Sequence, residues 1–306
     1  LTTVTRSVAN HICLVTMNRP EALNACSTEM MDDLCEAFLA AAADPETKVL
    51  VLTGAGRAFS SGADLKSMGA QGAPPKHGLK GLLETIIDFP KPFLIAANGL
   101  GVGIGCTILG LSDVAFAGSS AKFKCPFSAL GLTAEAASTI TFPNLMGHQQ
   151  ASWTLLSSEW LSAERAQAVG LVLSVFPDED LMTCAMGHAE TLAALPLASL
   201  IQTKALLMRT RKEGLKAAVA EENAALDRLV GGAANELLEG HAPVFRHSAD
   251  NERTVFQSVA REVRRQSRER RVVARVSEAG QDDDLMLFGR LRVHVARDPT
   301  VKPRTR

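Results

Sequence analysis

The chain has 306 residues, 46% of them hydrophobic, and 32 Lys+Arg against 33 Asp+Glu, a net charge of −1, which gives length for a sizeable core and no positive excess to draw it to nucleic acid. No apolar run reaches the ~20 residues of a membrane span, and six cysteines without CxxC spacing or histidine companions argue against a zinc site or disulfide scaffold. The sequence starts at Leu1 and shows no secretory signal region, so an intracellular, reducing setting is expected.

In chain order, His11 to Met17 reads as a strand, ended by Asn18-Arg19-Pro20. Ser27, with Met30, Met31, Leu34, Phe38 and Leu39 behind it, marks an N-capped amphipathic helix, and Val49 to Thr53 is the next strand. A small-residue turn, Phe59-Ser60-Ser61-Gly62-Ala63-Asp64-Leu65, follows. Residues 69–80, GAQGAPPKHGLK, lack core-forming side chains and read as a surface loop with His77 solvated. Helical spacing returns from Leu79 to Phe89. Phe93 to Ala97 is a short apolar strand closed by Asn98-Gly99, and after further glycines Ile104 to Leu111 restarts as a helix. A turn feeding a helix leaves free N–H donors at the positive end of the dipole, which suits an anion or a developing oxyanion. One such turn reads equally well as close backbone packing. Two of them, each after a strand, can aim one N–H each at a single oxygen.

Further along, Asp113 precedes the strand Val114-Ala115-Phe116 and is read as a structural hydrogen-bonding group. Cys106 and Cys125 read as small buried hydrophobes rather than nucleophiles. From Trp153 to Val175 the pattern is helix, a second helix capped by Ser162, Gly170 and a final strand, with Trp153 and Trp160 read as core. Asp180 to Leu195 and Leu197 to Leu229 form two or three amphipathic helices, with apolar spacing Leu200, Leu206, Leu207, Leu215, Val219 and Leu226. Alternating strands and helices predict α/β layering with parallel strands. Residues 249–306 hold 14 Lys+Arg against 9 Asp+Glu, whereas the remainder holds 18 against 24. The run Arg264, Arg265, Arg268, Arg270, Arg271 and the stripe Val255, Val259, Val263 are read as a solvated, partly helical or flexible extension.

The segments SSGADLKSM and ANGLGVGIGCTILGLSDVAFA, with NRPEALNA near the start, resemble the crotonase (enoyl-CoA hydratase/isomerase) superfamily over about residues 4–247. Within it, CPFSALGLTAEAASTITFPNLMG resembles the peroxisomal-type Δ3,Δ2-enoyl-CoA isomerases. The resemblance implies an α/β fold: a ββα spiral core over 1–195, a C-terminal helical module over 196–248, and an extra Arg-rich extension over 249–306. It also implies an acyl-CoA thioester substrate, no separate cofactor, no metal, and a homotrimer or dimer of trimers. The expected compartment is the cytoplasm for a bacterial source and the peroxisome or mitochondrion for a eukaryotic one, although no SKL-type ending is present.

By position, the resemblance assigns the oxyanion-hole N–H groups to Ala63 and Ile104, where the side chain is expected to matter little. It assigns coenzyme A contacts to Ser61, Gly62, Ala63, Asp64, Leu65, Lys66 and Gly103. Arg19 and Lys204 are each read either as reaching a CoA phosphate or as a loop brace and a solvated side chain, respectively. The two glutamates of hydratases fall at Thr107 and Phe127, which cannot act as general bases near neutral pH. The isomerase glutamate falls at Glu135; the plainer reading is a carboxylate in the first turn of a helix capped by Thr133. The expected activity is conversion of 3-enoyl-CoA to trans-2-enoyl-CoA in fatty-acid β-oxidation. The alternatives are hydratase-type chemistry or a non-catalytic acyl-CoA-binding scaffold.

Overall fold

The structure is a computed structural model that describes residues 1–64 and 74–229, all within one compact unit, Leu1–Ala242. Leu65, Lys66 and the extension 249–306 lie outside the described residues.

A hairpin opens the chain: β1 (Val4–Ala9) pairs antiparallel with β2 (Ile12–Met17). The sequence reading missed β1, because every residue after Val4 in it faces solvent and the hairpin turn is made without glycine. Asn10 and His11 adopt positive φ there, 51° and 65°, as a tight two-residue hairpin requires. Helix α1 (Thr28–Ala43) follows, with the Ser27 hydroxyl accepting from the Met30 N–H.

Three strand–strand–helix turns then repeat: β3 (Val49–Gly54), β4 (Ala58–Ser60) and α2 (Gly78–Asp88); β5 (Phe93–Ala97), β6 (Leu100–Val102) and α3 (Ile104–Thr107); β7 (Val114–Gly118), β8 (Lys122–Lys124) and, after a loop, α4 (Ser138–Met146). The remaining elements are α5 (His148–Ser157), β9 (Trp160–Ser162), α6 (Ala163–Ala168), β10 (Ser174–Phe176), α7 (Leu181–Ala193), α8 (Leu197–Met208) and α9 (Lys212–Leu229). Each repeat gives its first strand to a six-stranded sheet, ordered β1-β2-β3-β5-β7-β10, and its second to a four-stranded sheet, ordered β4-β6-β8-β9. This is the ββα spiral expected from the sequence.

The large sheet is covered on both faces, and the two-residue period of its strands decides which side chain goes where. Val49, Val51, Leu94 and Ala96 meet Leu181, Ala185 and Ala189 of α7. Their alternates Leu50, Leu52, Phe93 and Ile95 point into the main core with Phe38, Phe59 and Leu82.

Several outer positions differ from expectation. Trp153 is 58% exposed, and Leu206 and Leu207 are 65% and 66% exposed, so none of the three is core. Lys204, expected in solvent or at a ligand phosphate, is buried: its Nζ donates to Lys91 O at 2.8 Å and pairs with Asp113 Oδ2 at 2.7 Å. Asp113 holds its structural role, accepting also from the Phe93 N–H. His77 is half-buried and meets Glu36 Oε1 at 2.6 Å rather than water alone.

Candidate active site

The small sheet brings the three sequence segments of interest together. β4, β6 and β8 run parallel side by side, with Ser60 opposite Gly101 and Gly101 opposite Phe123. The residues that follow each strand therefore leave from one edge, the carboxyl ends, where parallel sheets commonly place ligands. Ser61–Asp64 leaves β4, Gly103–Thr107 leaves β6, and Cys125 onward, leading to Glu135, leaves β8.

The first two turns touch. Gly62 has φ +95° and Gly103 has φ +53°, conformations that favour glycine. A β-carbon on Gly62 would lie 2.8 Å from Val102 O, and one on Gly103 would lie 3.8 Å from Gly62 Cα. Ala63 is exposed, and Ile104 is the first residue of α3. Among the described residues neither N–H has a backbone or side-chain acceptor, whereas Gly62, Asp64, Gly103, Cys106 and Thr107 all donate within the protein. Ile104 departs from the idea of an indifferent side chain: it is 3% exposed, part of the main core, and borders a small void inside it with Met17, Leu34, Phe59, Leu82 and Ile108.

A brace from the 18–26 loop fixes the first turn. The Arg19 guanidinium donates to Asp64 Oδ2 at 2.8 Å and to Ala25 O at 2.9 Å. The fully buried Asn24 amide donates to Ala55 O and Ala58 O. Ser61 donates through its N–H to Leu23 O and through its hydroxyl to Ala22 O. The side chains of Ser61 and Asp64 thus serve the protein, and the backbone is the face the segment offers outward.

Glu135 lies beside the second turn: its Oε1 is 3.6 Å from the position of a β-carbon on Gly103. It does not sit in a helix, and Thr133 caps nothing, because α4 starts only at Ser138 with Ala137 as its left-handed N-cap. Ala136 and Ala137 both have positive φ, 58° and 54°, a costly conformation for two non-glycine residues in a row. What holds it is a carboxylate the sequence reading missed. Glu222 of α9, 6% exposed, accepts from the Ala137 N–H at 2.7 Å, the Thr139 N–H at 3.0 Å and the Thr139 hydroxyl at 2.6 Å. A signal was present in the sequence: Glu222 falls on the helical face of Leu215, Val219 and Leu226, an acid inside an apolar stripe.

Burial, and secondarily the Glu222 charge, push the Glu135 carboxyl from its ordinary 4.5 up to about 7, the range of a competent general base. Nearby thiols are protonated: burial pushes Cys26 up to about 11, and Cys125, 3.6 Å from Cys106 through sulfur, is raised by that contact and by burial. Thr107 is fully buried with its hydroxyl turned back to Gly103 O, and Phe127 is 6% exposed. No cluster of metal-ligating residues occurs among the described residues. A roomier surface cavity, bounded by Met146, His148, Trp153 and Arg165, includes none of these groups.

A ββα spiral with two glycine turns and a carboxylate gathered at one sheet edge is the architecture of the crotonase fold. The chain belongs to the enoyl-CoA hydratase/isomerase family, whose model matches residues 7–236. It is 40% identical over 218 residues to enoyl-CoA delta isomerase 2 of Rattus norvegicus, covering 69% of this chain and 56% of the relative. Against the peroxisomal enoyl-CoA delta isomerase 3 of Mus musculus it is 37% identical over 226 residues, 71% of each chain. It also superposes on an enoyl-CoA hydratase of Mycobacterium marinum with a TM-score of 0.64 at 46% identity, covering 68% of this chain and 99% of that one. The chain thus spans a little over half the length of the rat relative.

Proposed function

We propose that this protein is a Δ3,Δ2-enoyl-CoA isomerase that converts 3-enoyl-CoA to trans-2-enoyl-CoA in fatty-acid breakdown. The observation that carries the reading is Glu135, a carboxylate raised to about 7 beside a turn with unengaged N–H donors. In this reading the thioester carbonyl accepts from the Ala63 and Ile104 N–H groups. Glu135 takes a proton from C2, whose C–H electron pair forms C1=C2 and pushes the carbonyl pair onto oxygen, giving a dienolate whose charge the two donors stabilise; C4 then takes the proton back from Glu135 as the carbonyl re-forms and the double bond settles at C2=C3. Donors placed where charge develops contribute a few kcal/mol each to the transition state. Coenzyme A lies along Ser61, Gly62, Ala63, Asp64, Leu65, Lys66 and Gly103, mainly on backbone atoms. A homotrimer or dimer of trimers is the expected assembly, with the cytoplasm the compartment for a bacterial source and the peroxisome or mitochondrion for a eukaryotic one.

The 46% identity to a hydratase structure favours hydration as a second reading. Against it, Thr107 and Phe127 occupy the positions of the two hydratase carboxylates, so nothing there holds and ionises a water. Purified protein given 3-enoyl-CoA and 2-enoyl-CoA separately decides the matter: rapid isomerisation with hydration slower by at least about 10²-fold, the contribution of one acid/base group, supports the proposal. Robust hydration overturns it.

A further inference from the structure

We propose that Glu222 is a positioning residue for the base: by gathering the donors of the α4 N-terminus it holds Ala136 and Ala137 in their left-handed turn and so aims Glu135 at the Gly103–Ile104 turn. The inference rests on the isomerase reading and adds to it a residue from a different part of the chain.

Three donors converge on this one buried carboxylate: the Ala137 N–H, the Thr139 N–H and the Thr139 hydroxyl. A helix of ordinary design caps itself with a local Ser, Thr, Asp or Asn; α4 has Ala137 at that place and no local side-chain cap. The cap is supplied instead from a helix 85 residues further on. Two consecutive alanines at positive φ revert to ordinary backbone when nothing restrains them, and Glu135 is joined directly to the first. Displacement of the base by ~1 Å is enough to cost about 10²-fold in rate.

Charge makes a second link. Among the described residues Glu222 from α9 is the charge that acts on Glu135, and Glu135 in turn helps to raise the thiols of Cys26 ahead of α1 and Cys125 after β8. Both thiols are protonated at neutral pH, so Glu222 supplies the negative charge that opposes ionisation of the base. Its removal makes Glu135 ionise at lower pH and makes it a weaker base.

The test compares wild type with Glu222→Gln, Glu222→Asp and Thr139→Val. Glu222→Gln is expected to keep KM for 3-enoyl-CoA within about twofold, lose roughly 10- to 100-fold in kcat, and move the acid limb of the kcat/KM profile to lower pH. Glu222→Asp keeps the charge, so its acid limb stays near that of wild type while kcat falls less. Thr139→Val, which removes one donor and no charge, lowers kcat and leaves the pH profile alone; it also serves if Glu222→Gln does not fold. A merely structural Glu222 lowers the melting temperature in all three and leaves kcat and the pH profile unchanged, which overturns the proposal. Titration of ¹³Cδ-labelled glutamate, with Glu135 assigned by its loss in Glu135→Gln, separates this inference from the functional one. If wild type fails to isomerise, the isomerase reading falls, yet a lower Glu135 midpoint in Glu222→Gln still upholds the coupling and an unmoved midpoint refutes it.

Discussion

Arg19 and Asp64, 45 residues apart, meet at 2.8 Å between Nη1 and Oδ2, and the pair clamps the backbone immediately after Ala63. Both side chains are mostly shielded, 24% and 14% exposed, so the contact is less screened than a surface ion pair. Its position makes it a brace for the turn that carries the Ala63 N–H, the first oxyanion donor of the proposed mechanism, instead of a hand held out to a phosphate.

Arg19→Ala and Asp64→Ala should therefore each lower kcat about tenfold while leaving KM for acyl-CoA within about threefold, since the loss is of donor placement. The double variant should be no worse than either single one, because the two remove the same contact. A selective rise in KM for either variant would return these residues to coenzyme A binding.

Under the proposed mechanism Ile104 carries two separable duties, an N–H toward the substrate and a side chain in the core. Ile104→Ala should cost about 2–4 kcal/mol of stability through the cavity left behind and keep most of its turnover at a temperature where it is folded. Ile104→Pro, tolerated sterically at a first helical position, should fold comparably and lose about 10²–10³-fold in kcat with the missing donor. Circular dichroism establishes folding in both; equal kcat values would remove Ile104 from the oxyanion hole.

With its pKa raised to about 7, Glu135 must be ionised to take the C2 proton in the proposed mechanism, so kcat/KM should rise with pH through an inflection near 7 and level off above it. Glu135→Gln should lower kcat by about 10²–10⁴-fold with thioester binding retained. Stability moves the other way. The folded state raises this pKa above the unfolded 4.5, so it binds more protons between those values; the stability Glu135 contributes is full below about 4.5 and is lost as pH climbs through 7. The gain in unfolding free energy of Glu135→Gln over wild type, read by chemical denaturation, should thus be small near pH 5 and largest above pH 8, up to about 3 kcal/mol for the full shift. A pH-independent difference would contradict the raised pKa.

Lys204→Ala strips a buried cation from Asp113, and breaking a pair so placed should cost about 2–4 kcal/mol in chemical denaturation. With its Nζ engaged by Lys91 O and Asp113, the residue has no duty toward substrate, and KM for acyl-CoA should stay within about twofold. A large KM increase in the folded variant would show that Lys204 reaches the ligand.

Much of this arrangement is legible in the sequence where the signal is local. Apolar runs punctuated by glycine place β3, β5 and the two turns, and residue types at 107, 127 and 135 frame the chemistry. The strands β4, β6, β8 and β9, three residues each, are too short to display a period, yet they line up the three segments of the site. The left-handed pair Ala136-Ala137 leaves no trace because its restraint comes from Glu222, and Thr133 before an acid mimics a helix start that the backbone makes later. Lys204 misleads for a related reason: a lysine among leucines on a helix looks solvated until its partners, Asp113 and the carbonyl of Lys91, are seen across the fold.

The dependence of the α4 turn on Glu222 also sets an order of events during synthesis. Both glycine turns, the six-stranded sheet and Glu135 itself are encoded before α9, so a nascent chain can close its spiral and still lack the carboxylate that seats Ala137. On the proposed roles of the two glutamates, Glu135 is present but unaimed until residue 222 has emerged and docked, and the growing polypeptide passes through a stage that is folded in outline and chemically silent.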